Sequence, residues 1–220
     1  MQDIEENMLG RRALLTGLSM AAVAGLAAGA RPASAQTGGA GSQAAPHPKD
    51  AWLAELPGAQ RVFVDSSTMV GGPTALWNAG NVIESHISEY EGQASDYALV
   101  VCFRHLSTPY GYDDAIWAKY GSILMRNADP VPVTNPMKVR AGNNGQHSIP
   151  DVVEMGVQFA VCGRATRRMA GAIANATGST PDAVFAELQA GLIPNARLVP
   201  AGVIAATRAQ ALGYSLLYAE

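Results

Sequence analysis

Short, nearly unbroken apolar runs set what this chain can fold into: Arg61-Val62-Phe63-Val64-Asp65-Ser66, residues 97–103 (Tyr-Ala-Leu-Val-Val-Cys-Phe), Val157-Gln158-Phe159-Ala160-Val161 and residues 214–218. Each has the length of a strand and little of the in-out alternation of a half-solvated one, so most read as strands buried on both faces. Helical spacing fills the intervals. Leu76, Ala79, Ile83, Ile87 and Tyr90 share one helical face, and Ile116, Trp117 and Tyr120 share another in a helix over residues 112–120, whose start carries the acidic pair Asp113 and Asp114. A short helix over residues 149–155 is capped by Ser148 or Asp151, and Met169, Ala172 and Ile173 mark the helix after residue 162. Thr180-Pro181-Asp182 opens a helix with Val184, Phe185, Leu188 and Leu192 on one side, and Arg197-Leu198-Val199-Pro200 precedes a last helix over residues 202–212. Strands alternating with helices require an α/β fold, here a three-layer α/β/α sandwich with a mainly parallel sheet of about five strands. Ligands of such sheets bind at the carboxyl ends of the strands.

The N-terminal segment stands apart from this pattern. Gly10-Arg11-Arg12-Ala13-Leu14-Leu15 is a paired arginine leading into an Ala/Gly/Leu stretch, and Ala33-Ser34-Ala35 is a small-residue cleavage site. Residues 1–35 are therefore expected to be a twin-arginine export signal, which places the mature protein in the periplasm or outside the cell. The stretch is too mildly apolar for a stable membrane anchor, which needs about 20 strongly apolar residues. Residues 36–55 are expected to be a flexible linker, and residues 56–220 one folded domain. Asp3, Glu5 and Glu6 balance Arg11, Arg12 and Arg31, so the mature chain keeps the whole net charge of −3. A mildly acidic chain without a basic run argues against nucleic acid as a partner.

Cys162 carries the main chemical signal, because it sits where a strand ends and a helix begins. Helix N-termini carry partial positive charge, and Arg164, Arg167 and Arg168 add cations nearby, a setting that favours a thiolate. The bland reading is a small buried residue at a crowded strand end. Cys102 lies inside an apolar strand, where core packing is expected; a disulfide between the two thiols is a third reading, limited by the need for Cα atoms within about 7 Å. His105 lies just past the end of its strand and is a candidate base for Cys162 or ligand for a bound ion or anion, the alternative being a loop histidine bonded to backbone, with Arg104 a candidate ligand for a carboxylate or sulfur oxyanion. Gly163, Arg164 and Arg167 are candidate ligands for an anion at the helix start. Trp117 and Tyr120 read as core. His86 and His147 are isolated, and no Cys-x-x-Cys or His-x-x-x-His spacing occurs, so neither a metal nor any other cofactor is expected. Gly71-Gly72-Pro73 lacks the lysine and spaced glycines of a phosphate loop and reads as a turn. The proline- and asparagine-rich stretch over residues 127–147 reads as a long loop.

Several blocks together carry a resemblance. Arg104-His105, Asp114-Ala115-Ile116-Trp117-Ala118-Lys119-Tyr120-Gly121, Gly156-Val157-Gln158-Phe159 leading into Val161-Cys162-Gly163, and Leu198-Val199-Pro200-Ala201-Gly202-Val203 with Gln210 and Gly213-Tyr214 resemble the exported members of the DsrE/DsrF-like family. The resemblance spans residues 61–218. It implies a compact α/β sandwich, assembly into homo-oligomers such as trimers or hexamers, and a sulfur-relay role in which Cys162, at the position of the strand-end cysteine of many members, carries a persulfide between partners. Two functional expectations follow. The first is relay or binding of a small sulfur species through Cys162, with a thiol-bearing partner protein. The second is a non-catalytic oligomeric binding or assembly module in which Cys162 is merely packed.

Overall fold

The computed structural model describes residues 47–139 and 147–220. The expected signal peptide, the linker up to residue 46 and residues 140–146 of the long loop lie outside the described residues. Five strands, β1 (Gln60–Ser66), β2 (Tyr97–Phe103), β3 (Gln158–Cys162), β4 (Ala196–Val199) and β5 (Ser215–Ala219), form one sheet in the order β4-β3-β2-β1-β5. Every neighbouring pair is parallel. The α/β/α sandwich expected from the apolar runs is the fold observed.

Alternation along the strands sorts the core into two layers. Val64, Val101, Phe103, Phe159 and Val161 pack against the larger helical layer, made of α2 (Gly71–Glu89), α3 (Asp114–Leu124), α4 (Ile149–Glu154), α5 (Gly163–Thr177) and α6 (Pro181–Ala190). Phe63, Val100, Cys102 and Ala160 pack against the smaller layer, made of α1 (Ala51–Glu55) and α7 (Gly202–Ala211). The strand order explains this split. From β1 to β4 the chain steps one way across the sheet, whereas from β4 to β5 it returns, and crossovers of a single hand then demand that α7 lie on the opposite face.

Local chemistry accounts for the helix starts. Ser148 and Asp151 act together in a reciprocal capping box at α4, so both residues expected to cap it do so. Thr180 accepts from the Ala183 N–H at 3.3 Å and Pro181 occupies the first turn of α6. Replacing Thr180 with alanine is expected to cost about 1 kcal/mol. A urea titration checks this as a lowered midpoint with an unchanged slope. Gly71-Gly72-Pro73 is the first turn of α2 rather than a separate turn; a Cβ on Gly71 would come within 2.4 Å of the Ala219 carbonyl oxygen, so the helix enters against β5 only with glycine there.

Other boundaries move as well. The folded domain starts before residue 56: residues 51–55, expected within the linker, form α1, because Trp52 and Leu53 bury their side chains against the sheet. The third helix starts at Asp114 and runs to Leu124, with Asp113 as its N-cap through a bond from the Ile116 N–H at 3.0 Å. Part of the long loop is also tied down. Asn135 is buried, and its amide nitrogen donates to the Tyr110 and Tyr112 carbonyls at 2.9 and 2.7 Å.

Candidate functional site

The strand order also fixes where a crevice opens. β3 and β4 are neighbours, yet β3 leads into α5 on one face and β4 into α7 on the other. Adjacent strands whose connections leave to opposite faces part at their carboxyl ends, and ligands of open sheets bind there. Cys162 is the last residue of β3 and the N-cap of α5, so it stands at this divergence. It is 7% exposed, against 0% for Cys102. Its carbonyl accepts from the Thr166 hydroxyl at 2.9 Å, and Thr166 in turn accepts from the Tyr112 hydroxyl at 2.8 Å, which locks the first turn of α5.

Both thiols are free. In the β2–β3 register Cys102 lies opposite Ala160, so Cys162 is two residues further along on the same face. Such diagonal partners are about 7–8 Å apart, beyond the reach of a disulfide. Burial pushes the Cys102 thiol well up from its ordinary value, and the nearby Asp65 and Cys162 add to the shift. Cys102 is therefore a protonated packing residue. Gly202 seals it: a Cβ at that position would lie 2.6 Å from Arg104 Cβ and 3.0 Å from Cys102 Sγ, so the N-terminus of α7 rests directly on these two residues.

Arg104 is not poised to take an external anion. Its Nε donates to Asp65 Oδ1 and Oδ2 at 2.8 and 3.0 Å, and its Nη2 donates to Oδ2 at 2.8 Å. Asp65 is the penultimate residue of β1, with its side chain 8% exposed, while that of Arg104 is 22% exposed. The guanidinium also lies 6.0 Å from the Tyr218 ring centroid, and Tyr218 shares a 2.7 Å hydrogen bond with Ser67. The carboxylate that Arg104 was expected to find in a ligand is supplied by the protein. Asp65 was missed as a site residue; an acid near the carboxyl end of an otherwise apolar strand was the signal.

His105 makes no hydrogen bond to Cys162. Its backbone is left-handed, with φ 53°, and its ring is exposed, with Nδ1 3.4 Å from Arg168 Nη2. Together with Met169 and Ile173 of α5 it lines a cavity of about 300 Å³ on the larger helical layer. Cys162 shares the opposite face with Ala160 by strand alternation, and no hydrogen bond joins it to His105. Trp117 and Tyr120 are core, as expected. Among the described residues no cluster of His, Cys, Asp or Glu could hold a metal ion, and no helix is long and apolar enough to cross a membrane.

Gly163, Arg164 and Arg167 are brought together. They line a groove of about 1190 Å³ that crosses the outer edge of β4, with Lys49, Trp52 and Arg197 on its other side. Gly163 is required there, because a Cβ would come within 2.7 Å of the Val199 carbonyl oxygen. α2, α5 and α7 all begin at the same carboxyl edge of the sheet, so their unpaired N–H groups point towards it.

No protein-family model matches the chain. No curated protein matches it significantly.

Proposed function

We propose that this chain is an exported, twin-arginine-translocated protein of the DsrE/DsrF-like type that takes up a small sulfur species on Cys162. One observation carries the reading: both cysteines are buried, but Cys162 alone keeps some exposure, 7% against 0% for Cys102, and it stands at the strand end where the connections of β3 and β4 part and α5 begins. In the proposed step the Cys162 thiolate attacks the outer sulfur of a persulfide R–S–SH. A new S–S bond forms to Cys162, the old S–S bond breaks, and its electron pair leaves with R–S⁻, so sulfur moves without net oxidation. A partner thiol reverses the exchange. Arg164 and the N–H groups at the start of α5 draw the anionic donor to this edge. His105 has no part in it as a base, since its ring is turned to Arg168.

That same turn of His105 favours the second reading, a non-catalytic oligomeric binding module in which Cys162 is only packed. One experiment separates the two. The full chain is reduced, exposed to a persulfide donor, trapped with an alkylating reagent and weighed intact, beside Cys162→Ser and Cys102→Ala. A one-sulfur adduct is expected on wild type and Cys102→Ala and is expected to vanish entirely in Cys162→Ser. An adduct that persists in Cys162→Ser, or a native Cys162 that neither alkylates nor gains sulfur, overturns the relay and leaves the binding module.

A further inference from the structure

The groove over β4 holds a concentration of charge that the acidic balance of the chain conceals. Lys49 and Arg197 stand on the α1 side and Arg164, Arg167 and Arg168 on the α5 side, against Glu55 as the one acid in its lining. Two of these cations are held in place by aromatic rings. The Arg197 guanidinium lies 4.4 Å over the Trp52 ring and that of Arg167 4.0 Å over Phe185, so the walls on both faces of the sheet present ordered, weakly hydrated cations. The only anion touching them among the described residues is Asp182, 3.4 Å from Arg167, and both partners are well exposed, so the charge is largely uncompensated.

The floor of the groove is the outer edge of the sheet. The Asn195 carbonyl accepts from the Phe159 N–H at 3.0 Å, and alternation along a parallel ladder then turns Arg197 and Val199 towards β3 and Ala196 and Leu198 outward. Ala196 N–H is satisfied by the Ile193 carbonyl at 3.2 Å. The N–H and C=O of Leu198 have no partner among the described residues. An exposed donor and acceptor side by side on a strand edge are matched by the backbone of another extended segment.

We infer that this groove docks an acidic, extended peptide segment of a partner protein, laid alongside β4 with its carboxylates against the Arg164 and Arg197 walls. Charge selects acidity on both faces of the added strand. The free Leu198 amide and carbonyl select a peptide over nucleic acid or an inorganic polyanion, whose backbones do not pair with a strand edge. The volume, about 1190 Å³ and open, exceeds the roughly 300–1,000 Å³ of small-molecule pockets. The inference does not depend on chemistry at Cys162.

The test uses the full chain and fluorescence anisotropy with a labelled eight-residue peptide of glutamate and threonine, beside its lysine counterpart, an N-methylated form of the acidic peptide and inorganic tripolyphosphate as competitor. Binding is expected for the acidic peptide alone, to weaken about tenfold or more in Arg164→Glu/Arg197→Glu, and to fall steeply as salt rises from about 50 to about 300 mM. N-methylation, which removes backbone donors, is expected to weaken it comparably. Arg164→Glu alone, at an exposed position remote from the Trp52 stack, gives the same direction of effect if the double variant misfolds. Equal binding of acidic and basic peptides, no binding, or an undiminished affinity in folded Arg164→Glu overturns the inference and leaves the cations as protection of a strand edge. Binding indifferent to N-methylation and fully displaced by tripolyphosphate overturns it in favour of an unspecific anion site.

Discussion

Replacing Asp65 with alanine is expected to lower stability by about 3 kcal/mol, because it strands the Arg104 guanidinium at the carboxyl edge of the sheet. The pair is bidentate, with three contacts between 2.8 and 3.0 Å, and the Asp65 side chain is 8% exposed. Removing one partner of such a pair leaves a desolvated charge, and that penalty exceeds what the pair itself contributes. Arg104 keeps 22% of its side-chain surface, so water relieves part of the cost and the expectation sits at the low end of the range for buried pairs. The environment leaves the guanidinium little freedom to turn outward: Gly202 abuts its Cβ, and the Tyr218 ring flanks it. Urea denaturation of Asp65→Ala, Arg104→Met and the double variant decides the matter. The double variant is expected to be clearly more stable than Asp65→Ala alone. A loss below about 1 kcal/mol in Asp65→Ala would mean that the pair is no more than a surface contact.

A larger loss, about 4 kcal/mol, is expected when Phe159 becomes alanine. Phe159 is the second residue of β3, wholly buried, with its ring stacked on Phe103 at 5.6 Å between centroids and 14° between planes. The change removes the transfer free energy of a large apolar side chain and leaves a cavity walled by two sheet strands, which cannot collapse without breaking their ladder. Phe159→Leu, which refills most of the volume, is expected to recover the greater part. Since a whole domain of this kind is stable by about 5–15 kcal/mol, the alanine variant belongs near the limit of folding. Calorimetry on both variants provides the check, and an alanine variant within about 1 kcal/mol of wild type would show that Phe159 is not packed as described.

How far the sequence disclosed this molecule differs between fold and site. The apolar runs at residues 61–66, 97–103 and 157–161 located three strands to within a residue, because strands buried on both faces have almost no other way to be written. β4 was less plain, since Arg197 interrupts its four residues, and an edge strand with one solvated side needs no continuous apolar run. β5 is an edge of another kind, with Leu216, Leu217 and Tyr218 all substantially exposed. Cys162 at a strand-to-helix junction was legible, because strand end and helix start are both local signals. That it does not pair with His105 was not, because that depends on which face each side chain takes and on the left-handed backbone of His105. Nor could spacing reveal that Arg104 is held by Asp65, since the two meet only when β1 and β2 are side by side. α1 escaped notice because one turn anchored by Trp52 and Leu53 has too few residues to display a period.

The shared starting edge of α2, α5 and α7 gives the molecule an orientation in encounter that its net charge does not announce. With formal charge −3 the chain should repel an anion at long range, yet parallel strands oblige each of these helices to run back from the same end, so their positive termini add while their negative termini collect at the far end. An approaching anion is turned towards the carboxyl edge as it nears, and an approaching cation towards the opposite one. Two copies of the chain meeting in solution feel the same torque, which favours contact of unlike ends over like. The direction in which this protein is met is therefore written into the sense of its strands, before any particular side chain is reached.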